Sequence, residues 1–318
     1  MNKSGPIKVA MIGLGWWGKK MTAVLQKAKG DIEIVCAADP NQAAKEFAEA
    51  NGFKQYSSEI EAFRHPGVEA IILATPHSLH AQQIKRAVAA GKHVFCEKPV
   101  ALTRKEAEDA VDACSKNNLV LGTGHERRWE PPVAQMLSMA RSGQLGRIQQ
   151  VEGNFSHDKF TTLDADNWRL NESEAPVEGK TATPRRCSER RVTCAFYAKV
   201  SRPRSRRATP QACISDLMAA AFVSRFAVYG SRGWIDIRDK AHVEAPAAWV
   251  VTSAMAAGPI AITEVPPAEP VKDNLVAFAR AIRGEVAYPI TGEDLVNNIS
   301  ILEAIIASAE RDGEVVKL

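Results

Sequence analysis

The 318 residues carry a formal net charge of +4, with 45% hydrophobic and 25% charged residues, the composition of an ordinary globular chain long enough for two domains. No apolar run approaches the ~20 residues that span a bilayer. The start, Met1-Asn2-Lys3-Ser4-Gly5-Pro6, passes into a strand without a secretory apolar stretch. A cytoplasmic protein without a membrane partner is expected, and the six cysteines show neither metal-ligand spacing nor a paired framework, so neither a metal site nor disulfides are expected.

Ile7 to Ile12 reads as a short buried strand, followed by a helix over 19–27 with Met21, Val24 and Leu25 on one face. Ile32 to Ala38 reads as a second strand ending at Asp39-Pro40, and a helix over 42–50 stops at Asn51-Gly52. Strands at 68–74, 93–96 and 119–122 alternate with helices at 79–90 and 103–117. This alternation predicts a doubly wound parallel sheet, a Rossmann dinucleotide-binding domain over 1–124.

Gly13-Leu14-Gly15-Trp16-Trp17-Gly18 follows the first strand and opens the first helix. Gly13 allows the tight turn, Gly15 lets backbone approach a pyrophosphate, and Gly18 allows close packing of helix on strand. The alternative is a glycine turn without a ligand, but the acid at a strand end about 20 residues on argues for a dinucleotide. Asp39 is placed for the adenosine ribose, which favours NAD. NADP is the alternative, through Lys45 or a rearranged loop. Trp16 and Trp17, inside the motif, join the cofactor-binding candidates. Thr75 and Pro76 lie at a strand end, where such sheets place ligands.

Together with Ala74-Thr75-Pro76-His77-Ser78-Leu79-His80, Ala90-Gly91-Lys92-His93-Val94-Phe95-Cys96-Glu97-Lys98-Pro99, Asn167-Trp168-Arg169, Phe226 to Trp234 and the tail from Asn274 to Glu310, the glycine motif resembles the glucose–fructose oxidoreductase / inositol dehydrogenase (Gfo/Idh/MocA) family. The resemblance covers most of the chain except roughly 172–214. It implies a nicotinamide oxidoreductase acting on a sugar, polyol or similar hydroxy compound, and a second α/β domain with an open, mostly antiparallel sheet that often mediates oligomers. It also implies a cis Lys98-Pro99 bond and Lys98 beside the nicotinamide and the reacting carbinol. Lysine suits that place, because oxidising an alcohol removes a proton from oxygen as hydride leaves carbon. Glu97 and His80 are candidate cofactor contacts, His80 alternatively as a backbone cap. Arg128 is a candidate for binding a hydroxyl or carboxylate, or else an exposed structural arginine. Asn167 and Trp168 resemble a family segment near the substrate, or else a packing anchor.

The second domain is expected over 125–318, with strands at 145–155, 226–229 and 234–237 and helices at 271–282 and 295–308. Its middle, 183–214, departs from the rest. Thr183 to Arg191 has no apolar periodicity, and Ser201 to Pro210 is dense in Arg, Pro and Ser. The family would place a Gly-x-His and an Asp here to complete the active site, and neither stands in place. A nucleic-acid-binding tract lacks stacking aromatics, and no nucleic-acid partner is expected. A basic substrate lid is a second reading. A reading-frame error is preferred, in the gene or in its sequencing, because GC-rich DNA read out of frame gives Arg, Pro, Ser, Ala and Cys. Reading Thr209 to Ile214 one nucleotide early permits the Ala-Thr-Gly of a family strand.

These readings predict an NAD(P)-dependent oxidoreductase that transfers hydride to or from a sugar-like small molecule, with Lys98 catalytic and self-association through the open sheet. The alternative is a catalytically impaired dinucleotide-binding homologue or sensor, favoured by the absent His and Asp.

Overall fold

The computed structural model describes residues 5–28, 30–156, 163–164, 166–171, 173–175, 193–196, 211–215, 223–240, 247–311 and 314–317. The departures noted at 183–192 and 197–210, and the side chains of Cys187, Cys194 and Cys213, lie outside the described part. The chain forms two compact units. One comprises Met1–Glu126, Asn171–Val177 and Pro270–Leu318; the other comprises Arg127–Leu170 and Glu178–Glu269.

In the first unit the strands are β1 (Ile7–Ile12), β2 (Ile32–Ala38), β3 (Lys54–Tyr56), β4 (Ala70–Leu73), β5 (His93–Cys96) and β6 (Leu121–Thr123). They form one parallel sheet in the order β3-β2-β1-β4-β5-β6. The interleaved helices are α1 (Trp16–Lys27), α2 (Ala43–Ala50), α3 (Glu59–Phe63), α4 (His80–Ala89) and α5 (Arg104–Lys116). With helices on both faces, the central strands are apolar almost throughout: all four residues of β4 are buried, as are five of six in β1. The strand order reverses between β1 and β4, and doubly wound sheets bind ligands outside the carboxyl ends of the strands at such a point.

Sequence and structure differ in places. Helix α1 starts three residues before the expected 19, because extended Gly15 is already its N-cap, so Trp16 and Trp17 belong to its first turn. The short β3 and α3 carry too little apolar pattern to be read from sequence. The tail beyond 269, expected in the second domain, belongs to the first unit. There α7 (Pro270–Ile282) buries Leu275, Phe278 and Ala279 in the core under β1 and β2, and Phe278 meets Phe95 of β5 edge-on at 5.6 Å. The buried Asn274 amide donates to the Thr123 carbonyl at 2.8 Å, and the Tyr288 hydroxyl donates to Asn274 Oδ1 at 2.6 Å. These bonds tie the tail to β6. Helix α8 (Gly292–Glu310) opens with a Thr291–Asp294 capping box and packs on α5.

In the second unit, β7 (Ile148–Ser156), β8 (Thr193–Phe196), β9 (Gln211–Ser215), β10 (Val223–Gly230), β11 (Gly233–Asp239), β12 (Trp249–Met255) and β13 (Ala261–Val265) form a sheet ordered β13-β12-β11-β10-β7-β9-β8. The run from β13 to β7 is antiparallel, and β9 lies parallel to β7. Helix α6 (Pro131–Arg141) begins on two prolines, which the first turn tolerates because its N–H groups have no partner within the helix. Its Met136 and Met139 pack with Val228, Ile235, Ile237, Trp249 and Val251 into this unit's core. Alternation along the strands puts Glu152, Arg225 and Asp236 on the opposite face. There Arg225 donates to Asp236 at 2.6 Å, to Glu152 at 2.8 Å and to the Tyr229 hydroxyl at 3.0 Å. Among the described residues no helix is long and apolar enough to cross a membrane.

Candidate active site

The glycine loop leaves β1 and turns into α1, and its three glycines do different work. Gly13 has φ +89°, and a Cβ there would lie 2.6 Å from the Ala74 carbonyl oxygen. A Cβ on Gly18 would fall 2.0 Å from the Gly13 carbonyl oxygen. Both hydrogens are therefore required by packing alone. Gly15 has an ordinary φ of −62° and nothing within 4 Å of the place a Cβ would take. It is exposed, and it caps a helix whose first turn has neither a side-chain cap nor an acidic residue. Open space before the positive end of a helix is what an anionic pyrophosphate fits. The residues present therefore suit a dinucleotide.

Asp39 stands at the end of β2. Its Oδ2 accepts from the Leu14 backbone N–H at 2.7 Å and its Oδ1 accepts from the Asn41 N–H at 2.8 Å. The carboxylate is thereby bolted beside the glycine loop, with lone pairs to spare for ribose hydroxyls, since an ionised carboxylate offers about four acceptor positions. Lys45, the cation considered for a 2′-phosphate, lies 3.9 Å from Glu49.

Thr75 follows β4, and its hydroxyl contacts Gln83 at 2.6 Å. Pro76 leads into a 3-10 turn, His77–Leu79. His80 is fully buried. Its Nδ1 lies 2.7 Å from the Pro99 carbonyl and its Nε2 lies 3.0 Å from the Thr75 carbonyl. Burial holds this imidazole below its ordinary pKa range, against the pull of the two carbonyls. A neutral ring can donate from only one nitrogen, and the shorter Pro99 contact is the one that donation suits. Of the two roles considered for His80, the structure displays the backbone one: the ring ties the loop after β4 to the Lys98–Pro99 turn.

That turn follows β5. Lys98 is exposed and the Lys98–Pro99 peptide is cis. Glu97 beside it is buried, and its backbone N–H donates to the Leu73 carbonyl at 2.9 Å. Burial, and then the Glu126 carboxylate, push its carboxyl up to about 8, while Lys98 and the Trp17 indole N–H oppose the rise. The indole N–H is itself buried and makes no hydrogen bond of regular geometry, so its hold on Glu97 is slight. Gly124, which no sequence motif singles out, completes this corner. A Cβ there would lie 2.4 Å from a Glu97 oxygen. Its one signal in the sequence is a glycine directly after a strand.

The structure thus brings Gly13, Gly15, Gly18, Asp39, Thr75, Pro76, Glu97 and Lys98 to the carboxyl ends of β1, β2, β4 and β5, with Trp16 52% exposed and Trp17 against the core. Arg128, Asn167 and Trp168 belong to the second unit. Arg128 lies in a 3-10 turn, Glu126–Trp129, half-buried. Asn167 caps a short turn by accepting from the Arg169 N–H at 3.1 Å, and Arg169 stacks over the Trp168 ring at 4.3 Å.

A profile of the oxidoreductase family with an NAD-binding Rossmann fold, GFO_IDH_MocA, matches residues 7–125. Over those residues the chain is similar to the Gfo/Idh/MocA oxidoreductases. The 1,5-anhydro-D-fructose reductase of Ensifer adhaerens is 30% identical over 176 residues, 55% of this chain and 51% of that protein. The scyllo-inositol 2-dehydrogenase (NAD(+)) of Bacillus subtilis is 28% identical over 155 residues, 48% of this chain and 45% of that protein. The chain spans about half the length of the curated relatives it matches. In fold it is similar to the aldose-aldose oxidoreductase of Caulobacter crescentus, solved with glycerol, at TM-score 0.78 and 22% identity over 98% of this chain and 100% of that one. The matched stretch contains the glycine loop, Asp39 and the lysine that follows β5.

Proposed function

We propose that this chain is an NAD-dependent dehydrogenase of a sugar, polyol or related hydroxy compound. The observation that carries this reading is Lys98, an exposed ammonium held directly after β5 by the buried Glu97 and by the turn that His80 anchors. When bound, the nicotinamide supplies the acceptor for a hydride. Gly15 and the first turn of α1 face the pyrophosphate, and Asp39 accepts from the ribose hydroxyls. The Asp39 charge disfavours a 2′-phosphate, which is why NAD is preferred over NADP. Lys98 as its neutral amine takes the proton of the substrate hydroxyl and becomes the ammonium, or as the ammonium stabilises the oxygen's developing negative charge, as hydride departs from carbon. Arg128, Asn167 and Trp168 are the proposed substrate contacts of the second unit.

A second reading, a dinucleotide-binding protein with impaired catalysis, is favoured by the lack of the expected Gly-x-His and Asp between 183 and 214. Nicotinamide absorbance against a panel of polyols and sugars separates the two. Turnover with NAD that Lys98→Ala abolishes while NADH still binds supports the dehydrogenase. NADH binding without turnover of any compound supports the second reading.

Self-association is part of the proposal. Edge strand β13 leaves Ile262 72% exposed, and an open edge is a ready surface for pairing. Sedimentation of the purified chain tests it. The free, buried thiols of Cys36, Cys96 and Cys114 suit the reducing cytoplasmic setting proposed here.

A further inference from the structure

A polar chain runs from the site into the flank of the first unit. The Thr75 hydroxyl contacts Gln83 Oε1 at 2.6 Å, Gln83 Nε2 contacts Glu59 Oε2 at 2.5 Å, and Arg86 Nε contacts Glu59 Oε1 at 2.7 Å. Gln83 is buried, and Glu59 retains 17% of its side-chain exposure. The chain has a direction set by chemistry. A carboxylate paired with a guanidinium only accepts, so Gln83 must turn its amide nitrogen to Glu59. Its amide oxygen then faces Thr75, and that oxygen also only accepts. The Thr75 hydroxyl is left as the donor of the pair, with its proton committed.

We infer that Glu59 and Gln83 are positioning residues that present the Thr75 hydroxyl oxygen to the dinucleotide as an acceptor. A group of the ligand that donates, a ribose hydroxyl or a carboxamide N–H, is then accepted against Thr75. A phosphate oxygen, which also only accepts, is turned away. The Thr75 methyl fits this orientation. Its Cγ2 lies 3.2 Å from where a Gly13 Cβ would be, so the methyl packs against the glycine loop while the oxygen serves Gln83. The inference rests on the proposed dinucleotide site and adds which chemical face of the ligand that site selects.

The test is NADH fluorescence titration of the full chain, with thermal melts to show that each variant folds. Thr75→Val is expected to weaken NADH binding by about three- to tenfold, the effect of one net hydrogen bond. Glu59→Gln frees the Gln83 amide to turn either way and is expected to weaken binding to a similar or smaller extent. Gln83→Met, which removes the relay with little change in bulk, provides a second route to the same loss. Neither change is expected to have any effect in the Thr75→Val background. The swap Glu59→Gln with Gln83→Glu puts an acceptor-only carboxylate directly against Thr75 and is expected to restore wild-type affinity. A packing role would give losses that persist in the Thr75→Val background and a swap that restores nothing, and either outcome overturns the inference. Wild-type affinity in Thr75→Val overturns it too, while leaving the proposed function standing. Absence of NADH binding by the wild-type chain overturns the proposed function itself.

Discussion

Glu97→Gln tests the corner beside Lys98 through its dependence on pH. Burial and the facing Glu126 raise the Glu97 carboxyl from the ordinary 4.5 to about 8. An acid whose folded value lies above its unfolded value holds more protons in the fold than in the open chain. The stability that Glu97 contributes is then greatest below pH 4.5, falls as pH climbs towards 8, and is level beyond. The slope approaches about 1.4 kcal/mol for each pH step inside that window, so this one carboxyl takes on the order of 3 kcal/mol from the fold between about pH 5 and about pH 7. Glutamine has nearly the same shape and no proton to lose. Its carbonyl can keep the weak 3.4 Å contact with the Lys98 N–H, and its amide no longer repels Glu126. The variant is expected to match the wild type near pH 4.5 and to exceed it by a few kcal/mol at about pH 8. Urea unfolding of both proteins at several pH values measures the gap. Curves that stay parallel from acid to neutral pH would refute the reasoning, because they would mean that Glu97 ionises in the fold as it does in water.

Gly15→Ala places a methyl in open space, so melts should stay within about 1 kcal/mol of wild type while NADH affinity falls. Gly18→Ala collides with the Gly13 carbonyl and should lower both, as unfolding and NADH titration will show. His80→Ala deprives the Pro99 carbonyl of its donor and opens a cavity. It is expected to cost about 2–4 kcal/mol in urea unfolding. For the stretch 183–214, sequencing the coding DNA is expected to show that a shifted frame restores the Gly-x-His and Asp of the family; an intact frame with no such match would remove the frame error as an explanation.

Much of the site is legible in the sequence. Gly13, Gly15, Gly18 and Asp39 can be read because a strand, a tight turn and a helix N-terminus impose glycine at fixed spacing. Lys98 can be read from its neighbours Glu97 and Pro99. Gly124 and the Glu59–Gln83 pair cannot, because each matters only through a contact made across the fold. Gly124 lies against the Glu97 carboxyl and Gln83 against the Thr75 hydroxyl, and neither position carries a periodic signal.

The sequence by itself determined the alternation of elements and hence the parallel sheet, since 3.6-residue and continuous apolar patterns are properties of neighbouring residues. It also determined the phosphate-facing loop, whose geometry is local. Tertiary structure alone decided the allegiance of the tail. Helix α7 is apolar on one face whichever unit it joins, and only the fit of Phe278 on Phe95 and of Asn274 on Thr123 places it with the Rossmann sheet. Tertiary structure also decided what His80 does. A histidine at the head of a helix is equally suited to a ligand and to a carbonyl, and the closeness of Thr75 and Pro99 on two neighbouring strand ends directs both ring nitrogens to the backbone.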